Sequence, residues 1–364
     1  MKRNPPVFAA ARNIIVITMS LLISACYVTE QGGDYLNLMA KAVSVEKTLA
    51  DSRTSPEIRA FLERVGKVRS FATDELGLKN TKSYTSLVML DSDRLVTAVS
   101  ACAELSFARY LWRYPLIGSF PFRAYFSIRE AREEEARLKI AGLDVVARPV
   151  DAFSTLGWFS DPLFSFMANE SEADIADIII QELTHATIFV KSEGDFDEEI
   201  SAFAGDEGSL LWLKSKYGKD SPLVEEVRRD RADDTAFYAW LRGTANELQN
   251  VYASGLSTAE KRELKSRIIA SRAADFKSEY ADHFRTDRYK DFPMERINNA
   301  YLDLYRIYEG EPSLYKDYLE KVCGSSMKKF IVDVERIAKH GGDPREEMRK
   351  ELAVVERGDV TGDR

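Results

Sequence analysis

The segment from Ala173 to Phe189 constrains the fold more than any other: it is apolar on nearly every face of a helix, yet carries three polar side chains. With Gln181 set at zero and 100° per residue, His185 falls near ~40° and Glu182 near ~100°, so the three share one arc. Ile175, Ile179, Leu183, Ala186 and Val190 take the opposite side, while Ile178, Ile188 and Phe189 lie beside the polar trio. A helix this apolar is buried. Burying Gln181, Glu182 and His185 costs several kcal/mol unless each finds a partner. Two kinds of partner suit them: a hydrogen-bond network, or a metal with its water.

The spacing of the trio is informative. Gln181-Glu182-Leu183-Thr184-His185 has the layout of a zinc-peptidase helix, where histidines at i and i+4 bind Zn²⁺ and the glutamate after the first is the general base. Here a glutamine stands at the first ligand position. Asp195-Phe196-Asp197-Glu198-Glu199 opens a second helix after Gly194, and only 12 residues separate His185 from Glu198. An antiparallel hairpin therefore brings the Glu198 carboxylate near His185, where a third ligand would sit.

Composition removes several alternatives. The 364 residues contain three histidines and three cysteines, which excludes a Cys/His zinc finger and a disulfide scaffold. The formal charge is −8, and residues 1–25 hold Lys2, Arg3 and Arg12 with no acid, so the remainder is more acidic still. That surface repels phosphate, and nucleic acid is not an expected partner. The basic start, the apolar run from Ile14 to Ile23 and the end Ile23-Ser24-Ala25-Cys26 read as a secretory signal closed by a bacterial lipobox. The expectation is export, lipidation at Cys26 and anchorage to a cell-envelope membrane, on the periplasmic or outer-membrane face, by acyl chains.

Residues 1–25 are thus a lipoprotein signal peptide, 26–342 a single domain and 343–364 a charged C-terminal tail that frays. Helices are expected over Asp34–Leu49, Ser55–Leu76 and Ser127–Ala141, and over most of the chain after Glu172. Strands are expected at 86–90, 95–99, 120–126 and 143–150. The fold class is α+β, mainly helical with a small β-sheet and the helix hairpin.

The stretch Gln181–Gly208, QELTHATIFVKSEGDFDEEISAFAGDEG, resembles the core of a bacterial family known as putative zinc-dependent aminopeptidases, exported and often lipoproteins. Members read HELAH or HELTH, then a connector ending in phenylalanine, then Asn-Glu. Ala152–Leu163 (AFSTLGWFSDPL), Phe120–Phe126 (FPFRAYF) and Arg296–Ala300 (RINNA) match further blocks of that family. The resemblance implies a zincin-like domain with His185 and Glu198 as zinc ligands, Glu182 as general base and Gln181 in the place of the first histidine ligand. Asp197 stands where the family has asparagine. Tyr308 would stabilise an oxyanion, against its plainer reading as an aromatic on an amphipathic helix. Ser154–Phe159 would line a peptide cleft, against a buried loop.

An amide oxygen is a poor Zn²⁺ donor beside imidazole, so the implied zinc site is weakened. His283 reads as a surface residue and His340 as a helix C-terminal cation; Asp197 and Glu199 are candidates to hold a free amine. The expected function is metal-dependent peptide hydrolysis on a peptide substrate. The alternatives are a catalytically inactive peptide-binding pseudopeptidase and a structural envelope lipoprotein.

Overall fold

The computed structural model describes residues 33, 37–114, 118–150, 161–190, 193–306 and 312–358. Among these the fold is α+β, mostly helical with small sheets. Cys26, Ser154–Phe159 and Tyr308 lie outside the described residues.

Strand β1 (Val43–Ser44) pairs antiparallel with β2 (Ser86–Val88), and β2 runs parallel to β8 (Leu163–Phe164). A second sheet places β3 (Val96–Ala103) between β6 (Phe122–Tyr125) and β7 (Leu143–Val150), both antiparallel to it. β4 (Trp112–Tyr114) and β5 (Gly118–Phe120) form a hairpin of their own. Helix α1 (Val45–Ala50) follows β1, α2 (Pro56–Asp74) follows α1, and α3 (Ile128–Ile140) covers the central sheet.

The helix expected over Asp34–Leu49 is corrected: Val43 and Ser44 are strand, paired with Leu87 and Ser86. The Val45 amide donates to the Thr85 carbonyl at 2.9 Å, and Ser44 then caps α1 by accepting from the Lys47 amide at 3.3 Å. Pairing with a distant strand has overridden a short helical preference. Ser55 does cap α2, with Pro56 at its first position, as the local signals require.

The helical part comprises α4 (Glu172–Thr187), α5 (Gly194–Tyr217), α6 (Pro222–Ala253), α7 (Thr258–Ser278), α8 (Tyr280–His283), α9 (Asn299–Arg306), α10 (Pro312–Asp317) with a π-turn over Tyr318–Val322, α11 (Met327–His340) and α12 (Pro344–Glu356). The fraying tail expected after 343 is also corrected. Asp343 caps α12, Met348 is fully buried, and Glu351 accepts hydrogen bonds from Tyr318 and Arg336. Burial and ion pairing hold a segment whose composition alone suggested solvation.

One core joins α2, α4, α5, α11 and the β1–β2–β8 sheet through Phe61, Val68, Ile175, Ile179, Leu183, Phe196 and Phe330. A second, aromatic core joins α6, α7 and α9. The RINNA block ties the central sheet to these helices. Fully buried Asn299 donates to the carbonyls of Ala103, Glu104 and Ser106 and accepts from Tyr252, while Asn298 donates to Val145. That block is a structural latch.

Candidate functional site

The site grows out of the α4–α5 hairpin. Ser171 caps α4 by accepting from the Asp174 amide at 3.1 Å, and Glu172 and Asp174 in the first turn suit the helix dipole. Glu172 also accepts from Trp212, Lys216 and Tyr217, fastening the start of α4 to the end of α5. The chain turns after Ile188, where the Val190 amide donates to the Asp197 carboxylate at 2.9 Å. The two helices approach closely at Gly205 and Gly208. A Cβ at Gly205 would fall on the side chains of Asp177 and Gln181, and one at Gly208 would meet Ile180 and Leu76 at 3.0 Å.

The hairpin brings two of the expected ligands together. His185 Nε2 lies 3.7 Å from Glu198 Oε2. The Ser201 hydroxyl, buried beneath them, is 2.9 Å from His185 Nε2 and donates to the Glu198 carbonyl at 3.0 Å. A hydroxyl has one proton, so in that arrangement His185 carries its own proton on Nε2 and donates it to Ser201. Burial holds the His185 pKa below the ordinary histidine value against the opposing pull of Glu198, which keeps the ring neutral at pH 7. The Glu198 side chain is 62% exposed.

Gln181 does not join this pair. Its amide nitrogen donates to Asp177 Oδ2 at 2.8 Å, one turn back along α4. Burial first, and then the charge of Asp206, push the Asp177 pKa up to about 7. The other Asp177 oxygen is buried with no hydrogen-bond partner. Arg231, 3.3 Å from Asp206, opposes the rise. The polar arc is therefore divided, with a hydrogen-bonded Asp177–Gln181 unit packed on Gly205 and a His185–Ser201–Glu198 group one turn further along.

Glu182 lies within electrostatic reach of Tyr84. Its charge acts on the hydroxyl of Tyr84, whose pKa burial drives well above its ordinary value, with Glu182 and Asp161 adding to the shift. Tyr84 is 5% exposed and sits at φ 61°, a left-handed conformation costly for a residue with a Cβ. Its amide donates to the Asp161 carbonyl at 2.7 Å, and Arg69 braces the preceding turn through the carbonyls of Thr81 and Ser83. Nothing in the sequence around Tyr84 distinguishes it from any residue of a polar turn; only the fold sets it near Glu182.

The carboxylates considered for a free amine are already engaged. Asp197 holds the Val190 amide, and Glu199 accepts from Tyr315 and from both arms of Arg345. His283 pairs with Glu279 at 3.4 Å, and His340 Nδ1 lies 2.7 Å from the Arg336 carbonyl oxygen, so neither joins the site. A groove of about 770 Å³, lined by Lys41, Val43, Lys47, Ile58, Leu87 and Met89 among others, opens on the β1–α1 face, and no member of the polar arc lines it.

The donor set can be tested against a zinc ion. Ligand atoms bound tetrahedrally at 2.0–2.2 Å stand about 3.3–3.6 Å apart, so His185 and Glu198 at 3.7 Å stand just beyond the spacing of two ligands. A resident zinc needs a third strong donor. Among the described residues no group of three His, Cys, Asp or Glu side chains could hold a metal ion. Gln181 offers only a neutral amide oxygen, a poor donor for zinc, on an amide whose nitrogen is bound to Asp177. These residues do not fit a three-ligand zinc site.

The family model described as "Putative aminopeptidase" matches residues 26–350 of the chain. No curated protein and no solved structure matches it.

Proposed function

We propose the function of this chain from one premise: it belongs to the putative aminopeptidase family, which points to chemistry on peptides. Our reading is a peptide-binding protein built on the peptidase scaffold, in which the α4–α5 hairpin carries the peptide site but keeps no resident zinc. The observation that carries it is the Gln181 amide held by Asp177 at 2.8 Å, which makes the first ligand position part of the helix packing. Among Asp197, Glu198 and Glu199 in the opening turns of α5, Glu198 is the exposed one, and the other two are spent on structure. Glu198 is thus the acid to meet a peptide's free amine. Export and a lipid anchor at Cys26 would place that peptide in the cell envelope.

A second reading, the finer enzymatic one, is supported by the 3.7 Å approach of His185 to Glu198. In it Glu182 serves as general base for peptide hydrolysis, and the metal is held weakly. Metal analysis separates the two. Protein purified without added metal or chelator should carry well below one zinc per chain and bind unblocked peptides without cleaving them. One zinc per chain, together with release of an amino-terminal residue, would replace the first reading by the second. A folded chain that binds no peptide would leave a structural role.

A further inference from the structure

Glu198 stands at the start of the second turn of α5, on a helix end with no side-chain cap. Glu193, the residue that precedes the helix, makes no capping hydrogen bond with its side chain. Beside the local bond from the Val190 amide to Asp197, support comes from far along the sequence. Arg345 on α12 donates to both oxygens of Glu199, at 2.7 and 3.1 Å, and approaches Glu193 at 4.0 Å. Tyr315 on α10 donates to the same carboxylate. The Arg345 guanidinium also lies over the Phe196 ring, 5.4 Å from its centre, and Phe196 meets Tyr315 edge-on. Residues 193, 196 and 199 of one α5 face are thus gripped by the C-terminal helices, while Glu198 and Ser201 on the next face meet His185.

Arg345 also sits against its local preference. It lies in the first turn of α12, where its own amide donates to the cap Asp343 at 2.9 Å, and a cation there opposes the helix dipole. A residue that breaks a local rule while finding a buried partner elsewhere is placed for that partner. Side-chain exposures of 17% for Arg345 and 16% for Glu199 make this a largely desolvated, bidentate pair, the kind whose loss is costly.

We infer that Arg345 is a positioning residue of the site: acting through Glu199, it sets the opening two turns of α5 and thereby holds Glu198 beside His185. The role of Glu198 comes from the reading above; the clamp rests on the contacts themselves.

The test uses the full chain and two readouts. Amide exchange by mass spectrometry follows residues 194–201, with 172–187 on α4 as internal reference. Zinc affinity, measured with Zn²⁺ alone against a chromophoric chelator, is read in the Gln181→His background. Arg345→Ala should speed exchange at 194–201 about tenfold or more, leave 172–187 unchanged, and weaken zinc binding at least about tenfold, as lost support of a ligand does. Arg345→Lys should recover part of both. Arg336→Ala, which removes an α11–α12 contact with Glu351 and none to α5, should change neither. If Arg345→Ala does not fold, Glu199→Gln weakens the same pair from the other side and is expected to give the same two results.

Unchanged exchange at 194–201 in a folded variant overturns the inference. So does faster exchange with unchanged zinc affinity, since α5 would then not be carrying Glu198. If the Gln181→His chain itself binds no zinc, the convergence of positions 181, 185 and 198 fails instead, and the exchange readout alone decides the clamp.

Discussion

Gln181 gives its amide to Asp177 at 2.8 Å, one turn back on the same helix, against the bare backbone of Gly205 on the next. The two helices can come this close only because position 205 has no side chain, and the space so made is filled by Asp177 and Gln181. A residue standing where the resembled family has a metal ligand has become part of a helix contact.

Restoring imidazole at that position should restore metal. Gln181→His is expected to raise Zn²⁺ affinity at least about tenfold, given that loss of even an outer partner of a ligand moves affinity by that much. Chelator competition measures it. Glu182→Gln in the same background should leave the affinity nearly unchanged, because Glu182 is not among the ligands that the resemblance implies.

Gly205→Ala should destabilise the fold by about 1–3 kcal/mol, the cost of forcing extra volume into a packed contact. The added methyl would press on Asp177 and Gln181. Urea denaturation checks this, and Gly194→Ala, which meets nothing within 4 Å, serves as a control for the helix backbone.

The contribution of Asp177 to stability should fall as pH rises toward neutrality. Its folded pKa is raised from 3.8 to about 7, so between those values the native state binds more protons than the unfolded chain. The contribution is full below pH ~4 and is lost progressively up to about pH 7. Asp197, raised to about 6 mainly by burial, acts with the same sign. Asp177→Asn keeps an acceptor for Gln181 and removes the ionisation. The variant should be the more stable at pH 8, by roughly 1–4 kcal/mol, with the gap closing by pH 4. An equal gap at both pH values in thermal melts would refute the assignment.

Asn299→Ala should cost about 2–4 kcal/mol, as three carbonyls and the Tyr252 hydroxyl lose a buried partner at once. The loss should be visible as a lower thermal midpoint.

Cys26→Ser should abolish incorporation of labelled fatty acid in an expressing bacterium and move the protein from the detergent phase to the aqueous one. Persistence of the label on the variant would locate the lipid elsewhere.

Sequence by itself determined the features that local rules govern. Periodicity marked α4 as a buried helix with a polar arc, and Ser55-Pro56 and Gly194 marked helix boundaries. The 12 residues from His185 to Glu198 left little choice but a tight hairpin, which is why spacing alone made that pair legible. The break in the Asp34–Leu49 helix was not legible, since β1 exists only through its pairing with Leu87 and Ser86. The way the polar arc divides was hidden for a related reason: the orientation of Gln181 depends on Asp177 and on how near α5 comes at Gly205. Nor could the placement of Tyr84 near Glu182 or of Arg345 on Glu199 be read, because Arg345 stands 146 positions from Glu199 and no local pattern links them. Helical period and short connections act along the chain. Close approach, desolvation and ion pairing act through space, and only the tertiary structure brings those partners within reach.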